Sequence, residues 1–249
     1  MRFTTAPKGI TPTPLSPAFG VLVQDVDLDR ITPDQFRRLY QLWQRHHVLV
    51  LRDQQLTAAG FHRLGAMLGD HEHVSVGDNA TTTEWHSDKP WLERPPFAAL
   101  LWAEEVPERS GAMWFASMPA ALRSMPQELV ARLNVLPLQH GPGAIHPMVI
   151  MQPETGESSL YLGRRKDTCI PGVPQPESDR LLNILWSYAT ATSVSLCHQW
   201  QQGDVVLWNN LTTIHRVEPL AGAGGDTKVH VAHVKGRYTL SAPIQQEAA

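Results

Sequence analysis

Two residues in the first half of the chain have the chemistry of metal ligands. His86 and Asp88 form an H-x-D pair directly after Trp85. In extended backbone, residues two apart project from the same face, so an imidazole nitrogen and a carboxylate oxygen converge there. They supply two members of a 2-His-1-carboxylate triad, which leaves open positions on non-haem Fe(II) for oxygen chemistry. His215, in a run of predicted strands, is the best candidate for the second histidine.

A second group of residues competes with this pair. His71 and His73 flank Glu72 in an H-x-H arrangement, which also directs two imidazoles to one face. This arrangement lacks an obvious third ligand, and it falls in residues 71–84, a polar and irregular stretch that we interpret as a loop. We therefore expect a structural role for His71 and His73 and assign the metal to the H-x-D pair.

Amphipathic periodicity predicts the helices that surround the site. Thr32 and Gln35 form a capping box, with Pro33 at the first helical position. Apolar residues then recur at helical spacing, and a second helix is predicted from about Thr57. A third clear helix is predicted around residues 181–188, with shorter helical patterns near residues 119–125 and 127–133.

Short apolar or alternating runs between turns predict the strands. These runs are residues 18–27, 48–51, 97–106, 112–116, 149–151, 160–162, 194–200, 204–208, 212–217 and 228–234. Twenty prolines and seventeen glycines fit a chain with many turns. We expect a mainly β protein with flanking α-helices, a jelly roll that forms a single domain over residues 1–249.

Composition excludes several classes of function. The 249 residues carry a net charge of −3, which gives no basic footprint for nucleic acid. No apolar run approaches the roughly 20 residues that a membrane helix needs, and no apolar segment follows the early cations as it would in a secretory signal. Cys169 and Cys197 are the two cysteines, and they fit reduced thiols in a cytoplasmic protein.

The sequence resembles the taurine dioxygenase family of Fe(II)/2-oxoglutarate-dependent oxygenases, which also contains the phenoxyacetate dioxygenases. The resemblance runs along nearly the whole chain, and it is carried by residues 15–20 (LSPAFG), 48–54 (VLVLRDQ), 85–88 (WHSD), 146–148 (HPM), 153–156 (PETG), 160–164 (LYLGR), 203–210 (GDVVLWNN) and 215–216 (HR). It implies a double-stranded β-helix (a jelly roll) in which His86, Asp88 and His215 hold the iron.

The same resemblance implies the reaction. Such an enzyme uses 2-oxoglutarate as co-substrate, releases succinate and CO2, and oxidises a C–H bond of a small molecule. Related halogenases lack the carboxylate ligand, so the presence of Asp88 favours hydroxylation or another oxidation over halogenation. The resemblance is also compatible with a homo-oligomer.

Two positions depart from the family pattern at the co-substrate. The family usually anchors the distal carboxylate of 2-oxoglutarate with an arginine on the strand after the second histidine, assisted by a threonine. Here that strand contains no arginine, Lys228 is the nearest cation, and Met113 stands at the threonine position. We assign the co-substrate end of the site to Lys228 and Met113, although a lysine lacks the bidentate fork of arginine.

These departures leave two alternatives open. One is an Fe(II)-dependent oxidase that does not use 2-oxoglutarate. The other is a non-catalytic homologue that binds a metal or ligand, although such a protein would not need open metal positions.

The substrate side departs from the family as well. The second arginine with which taurine dioxygenase grips its substrate anion is absent, because that position falls near Ala232. Lys89 directly follows Asp88 and can take over charge recognition. We expect Asn79, Lys89 and Trp91 to contact a small or medium-sized substrate that bears an acidic group.

Overall fold

The computed structural model of this protein describes residues 10–76, 82–107, 111–218 and 227–243. The α-helices in these ranges are α1 (Pro33–His46), α2 (Ala58–Leu68), α3 (Met118–Arg123), α4 (Gln127–Leu133) and α5 (Gln175–Ala189). The strands are β1 (Thr11–Pro14), β2 (Val21–Gln24), β3 (Val48–Leu51), β4 (His71–Val76), β5 (Ala98–Glu105), β6 (Ala112–Ser117), β7 (Pro137–His140), β8 (Ile145–Pro147), β9 (Val149–Met151), β10 (Ser158–Leu160), β11 (Thr168–Cys169), β12 (Ser195–Gln199), β13 (Val205–Asn209), β14 (Thr213–Val217) and β15 (Lys228–Val234). Among the described helices, none has both the length and the apolar character that crossing a bilayer requires.

Seven strands form the largest sheet, in the order β1-β2-β3-β13-β5-β15-β4. The strands β2 and β3 run parallel, and the other neighbours in this sheet run antiparallel. A three-stranded antiparallel sheet, β12-β6-β14, packs against it. The strands β11-β7-β8 and β10-β9 form two smaller sheets. The prediction of a mainly β protein with flanking helices is confirmed.

The space between the two main sheets is apolar. Phe115 of β6 and Trp208 of β13 meet there with ring centroids 5.8 Å apart. They belong to a buried cluster that also contains Met113 and Val229. The opposite face of the large sheet packs against α1 and α2, where Phe61 is fully buried. The large sheet therefore has an inner face toward the second sheet and an outer face under the helices.

The predicted starts of α1 and α2 are confirmed. The Thr32 hydroxyl accepts a hydrogen bond from the backbone N–H of Gln35, and the Gln35 side chain accepts one from the backbone N–H of Thr32. The Thr57 hydroxyl accepts a hydrogen bond from the backbone N–H of Gly60 at 2.9 Å. Each cap satisfies a backbone donor that the helix leaves unpaired, which stabilises the helix by about 1 kcal/mol.

Residues 71–76 form a strand, so the prediction of a loop over residues 71–84 is wrong there. The strand β4 pairs with β15 at every residue and forms an edge of the large sheet. Backbone pairing with a neighbouring strand does not depend on apolar side chains, which is why a polar segment such as this one escapes pattern-based prediction. The register sets Glu72 opposite His233, so these two side chains share one face.

The H-x-H arrangement on β4 has a structural explanation. His73 lies on the outer face, where its ring centroid is 5.2 Å from that of Phe61 on α2. Its Nε2 lies 3.1 Å from Nδ1 of His230 on the neighbouring strand β15. His71 packs against Gly65 of α2. These contacts fit the structural role expected for His71 and His73.

Candidate metal centre

His86 and His215, which are 129 positions apart in the chain, lie directly opposite each other. The backbone N–H of His86 donates to the carbonyl of His215 at 2.9 Å, and the N–H of His215 donates to the carbonyl of His86 at 2.8 Å. Two residues that exchange both hydrogen bonds in an antiparallel bridge have their side chains on the same face. This bridge brings the two imidazoles together, with ring centroids 4.3 Å apart.

Asp88 completes a cluster with the two histidines. Its Oδ1 lies 3.8 Å from Nε2 of His86 and 3.6 Å from Nε2 of His215. One ligand atom from each residue lies within 4.8 Å of the other two. Nitrogen and oxygen atoms at these separations surround a point at which one ion can contact all three. The three residues that the sequence singled out are therefore adjacent in space.

The protonation states of these side chains suit a divalent cation. Nδ1 of His86 lies 2.8 Å from the carbonyl oxygen of Glu84. A carbonyl only accepts, so Nδ1 carries a proton, and Nε2 is the ring nitrogen on the side of Asp88. Burial lowers the pKa of His215 to about 3, so this imidazole is neutral at physiological pH.

Asp88 is ionised in this cluster. Burial raises the pKa of its carboxyl, but the imidazoles of His215, His233 and His86 outweigh burial and hold that pKa below its usual range. Its Oδ2 is buried and makes no hydrogen bond among the described residues. A buried carboxylate beside two imidazoles is the donor set of non-haem Fe(II) sites, so the residues fit this metal.

Two buried side chains hold the segment that carries the candidate ligands. The Asn210 amide accepts a hydrogen bond from the backbone N–H of Asp88 at 2.7 Å and donates to its carbonyl at 3.0 Å. The Ser87 hydroxyl donates to the carbonyl of Leu162 at 2.8 Å. Both Asn210 and Ser87 are nearly fully buried. The segment between the two candidate ligands is thus fixed on both sides.

A cavity of about 460 Å³ opens beside the candidate ligands. Its wall includes His86, Asp88 and a largely apolar surface that contains Pro90 and Pro142. His140 also lines the cavity; it is buried, and neither of its ring nitrogens has a hydrogen-bond partner among the described residues. A small molecule in this cavity would lie next to the metal.

The residues predicted to contact substrate have different positions. Lys89 and Trp91 line this cavity, and about half of the Trp91 surface is exposed. The Lys89 ammonium forms an ion pair with Glu72 of β4. Its charge is therefore already engaged by a neighbouring strand. Asn79 lies outside the described residues.

The two residues predicted to bind the co-substrate, Met113 and Lys228, lie in different parts of the structure. Met113 is buried inside the jelly roll, two residues before Phe115, whose ring lies 6.2 Å from that of His215. The Lys228 ammonium bonds Glu104 at 2.8 Å, and the same carboxylate binds His230 of the outer face. The structure therefore does not bring Lys228 to the three candidate ligands.

The inner face of β15 carries other residues. Val229 and Val231 pack in the interior cluster, whereas Ala232 packs in the outer core. Ala232, the position near which the alignment placed the substrate arginine of the family, therefore faces away from the interior, and its two neighbours on the strand, Val231 and His233, face the interior. His233 shares this inner face, and its Nε2 lies 3.4 Å from Oδ2 of Asp88.

Four residues of the site escaped the reasoning from sequence. His233 and Asn210 contact Asp88, and Arg164 and His140 line the cavity. Strand alternation on β15 places His233 with Val229, but only the fold shows that this face is the inner one. For the other three, the sequence pattern gives no signal that links them to the site.

Comparisons with known proteins all identify the same family for this chain. Residues 11–234 match the family described as "Taurine catabolism dioxygenase TauD, TfdA family". The chain is 28% identical to the (S)-phenoxypropionate/alpha-ketoglutarate-dioxygenase of Sphingobium herbicidovorans, over 83% of this chain and 88% of that protein. It is 26% identical to the alpha-ketoglutarate-dependent 2,4-dichlorophenoxyacetate dioxygenase of Cupriavidus pinatubonensis, over 83% of this chain and 91% of that protein.

Solved structures share the fold. A crystal structure of a taurine dioxygenase from Burkholderia xenovorans matches with a TM-score of 0.88 and 26% identity, covering 95% of this chain and 94% of that chain. The structure of AAD-2 in complex with Mn(II) and N-oxalylglycine matches with a TM-score of 0.87 and 25% identity, covering 94% and 100%. These matches confirm the predicted jelly roll. The chain therefore belongs to the TauD/TfdA family of dioxygenases.

Proposed function

We propose that this chain, as one domain over residues 1–249, is a non-haem Fe(II)/2-oxoglutarate-dependent dioxygenase that hydroxylates a C–H bond of a small molecule. His86, Asp88 and His215 hold the iron. The observation that carries this proposal is the convergence of two imidazoles and one carboxylate at the wall of a cavity large enough for a small organic substrate.

The chemistry that iron and 2-oxoglutarate supply when bound is the O2-dependent oxidation of a C–H bond, with release of succinate and CO2. The residues of the chain position the metal ligands and shape the space in which the substrate binds. Asn210 and Ser87 fix the backbone on either side of Asp88, so that its carboxylate keeps one position. The apolar wall around Pro90 and Pro142 excludes water from the space next to the reacting bond.

Anaerobic titration tests this function directly. Fe(II) and then 2-oxoglutarate are added to the metal-free protein while absorption is followed for the metal-to-ligand charge-transfer band of the chelate. Admission of O2 with a substrate should then release succinate in proportion to substrate turnover. If wild type gives neither the band nor succinate, the proposed function is wrong.

A second candidate function is an Fe(II)-dependent oxidase that does not use 2-oxoglutarate. It is favoured by one observation: Met113, which stands where the family pattern has a threonine, is apolar, and it packs in the interior cluster with the apolar Val229 and Val231 of β15. In that case substrate would be oxidised with no stoichiometric succinate. Measurement of succinate against product in one reaction separates the two functions.

A further inference from the structure

We propose that Arg164 forms an oxyanion subsite in the cavity and selects a small organic acid with an apolar body as substrate. This inference rests on the proposed function and names the substrate class for the same site. Arg164 lines the cavity together with His86 and Asp88, and about one third of its side chain is exposed. Among the described residues that line this cavity, Arg164 and Lys89 are the lysine and arginine side chains, and most of the exposed wall is apolar.

The guanidinium of Arg164 lacks a full set of partners. Its Nε is buried and makes no hydrogen bond among the described residues. The nearest carboxylate oxygens are those of Glu84, 3.5 Å from Nε, and Asp167, 3.7 Å from Nη1. Lys166 holds the same Glu84 oxygen at 3.0 Å. An underused guanidinium fork in a partly buried site favours an oxyanion that can take two parallel hydrogen bonds.

The neighbouring cations make short hydrogen bonds to carboxylates, whereas Arg164 makes only the longer ion-pair contacts with Glu84 and Asp167. Arg165, the next residue, bonds Asp179 at 2.8 Å and Asn183 at 2.9 Å, both on α5. Lys89, predicted from sequence to bind the acidic group, forms an ion pair with Glu72 instead. Of the described cations that line the cavity, Arg164 is the one that makes no hydrogen bond to a protein carboxylate.

The backbone fixes Arg164 relative to the candidate metal. Ser87, between the two ligands of the H-x-D pair, donates to the carbonyl of Leu162, two residues before Arg164. A Cβ at Gly163 would lie 2.4 Å from the His140 ring and 3.0 Å from Pro90, so only glycine allows this close approach. The guanidinium is therefore held on the same wall as the metal site.

Charge and shape together define the ligand class. The oxyanion, a carboxylate or a sulfonate, would bind Arg164, and the apolar body would lie against Pro90, Pro142 and the partly exposed Trp91. This arrangement directs a C–H bond of the body toward His86 and Asp88. A substrate whose oxyanion binds Arg164 and whose apolar body is oxidised does not need the substrate arginine that the family carries on the strand corresponding to β15.

Calorimetry with matched probes tests the subsite. Phenoxyacetate, its neutral primary amide, an alkanesulfonate and the corresponding alcohol are titrated into wild-type protein loaded with Mn(II) and 2-oxoglutarate. We expect at least one of the two anions to bind more tightly than its neutral counterpart by about tenfold or more. The carboxylate and sulfonate arms show which oxyanion the site prefers.

Variants then assign the preference to the residue. Arg164→Met should weaken binding of the preferred anion by about 10- to 100-fold and leave the neutral analogue unchanged, because hydrogen bonds to a charged group are lost. Arg164→Lys should fall in between, since the charge stays and the fork is lost. Arg132→Met, which removes a surface ion pair between Arg132 of α4 and Glu177 of α5, is the matched control and should bind as wild type.

Three outcomes would overturn the inference. One is wild-type protein that binds no anion more tightly than its neutral analogue, and another is Arg164→Met with wild-type anion affinity. The third is a variant whose lost affinity is for 2-oxoglutarate and not for the substrate anion. Failure of the proposed function is separate, because it appears as wild-type protein that neither forms the charge-transfer band nor releases succinate.

Discussion

Nε2 of His233 lies 3.4 Å from Oδ2 of Asp88, on the side of the carboxylate that faces away from the two candidate histidine ligands. The other oxygen, Oδ1, is the one that approaches His86 and His215. A carboxylate that binds a metal through one oxygen needs a partner for the second, and partners of this kind orient the ligand. His233 is in place to supply that partner.

We therefore expect His233→Leu to weaken Co(II) binding by about 10- to 100-fold, the usual effect of losing a group that orients a ligand. His233→Gln keeps an N–H donor at the same reach and should stay close to wild type. The Co(II) absorption spectrum should keep its form in the Gln variant. Metal affinity and spectrum are measured together, with thermal unfolding as the check on folding.

His62→Leu, on helix α2 at the outer face of the sheet, is the matched control for loss of a histidine. Wild-type Co(II) affinity in His233→Leu would contradict the prediction. Equal loss in the Leu and Gln variants, with a changed spectrum in both, would show that His233 is itself a ligand.

Asp88 and its near neighbour in space Asn210 give a prediction about stability. The Asn210 amide satisfies three backbone groups: N–H and C=O of Asp88 and the carbonyl of Pro96, the last at 2.8 Å. Asn210→Ala leaves these buried groups without partners and should lower the free energy of unfolding by about 3 kcal/mol. Urea denaturation measures the change. Asn183→Ala, an exposed amide on α5, should cost under about 1 kcal/mol; equal losses in the two variants would contradict the argument.

The candidate ligands themselves give a sharper test of function. Asp88→Ala or His86→Ala removes one of three ligands, so Fe(II) should no longer produce the charge-transfer band with 2-oxoglutarate, and succinate release should fall to background. Asp34→Ala, at an exposed ion pair on α1, is the control and should keep both signals. A band of wild-type intensity in Asp88→Ala would show that the metal binds elsewhere.

Two of the three candidate ligands could be predicted from local spacing, because the H-x-D pair of His86 and Asp88 converges in any extended backbone. His215 was assigned through its place in a run of predicted strands and through the family resemblance. The face of a strand on which a cation lies cannot be predicted from the neighbouring residues, because it depends on how the strand pairs with other strands. The pairing between β15 and β5 shifts its register between Lys228 and Val229, and no hydrophobic periodicity reveals such a shift. Lys228 consequently joins Glu104 and not the site.

The role of Arg164 could not be predicted from the sequence, for a different reason. It lies just before a short 3-10 helix (Arg165–Asp167), in a segment with no amphipathic pattern, and its position depends on contacts with residues far away in the chain. The bond from Ser87 to Leu162 and the close approach at Gly163 place it at the cavity. Such contacts are products of the tertiary fold and leave no mark in local composition.

Mutation of Lys89 can distinguish between two roles of this residue: contact with the acidic group of the substrate, as expected from the sequence, and the ion pair with Glu72 in the structure. If the ammonium only ties the loop to β4, Lys89→Ala and Glu72→Gln should behave alike, since each breaks the same pair. We expect both to leave the substrate KM unchanged and to cost below about 1 kcal/mol of stability. A raised KM in Lys89→Ala alone, with Glu72→Gln at the wild-type value, would show that Lys89 contacts the substrate.

His140 predicts how stability depends on pH. Burial lowers its pKa to about 3, with a smaller contribution from His146, whereas in the unfolded chain its pKa is about 6.5. Between these values the unfolded state binds the additional proton, so the folded state loses stability as pH falls below about 6.5. Acidification from pH 7 to pH 5 should lower the free energy of unfolding by roughly 2 kcal/mol through this residue.

His140→Phe, which cannot titrate, should lose correspondingly less stability on the same acidification, as measured by urea denaturation at the two pH values. His62→Phe, on the outer helix α2, should keep the wild-type difference; an unchanged difference in His140→Phe would show that His140 is not buried in its neutral form.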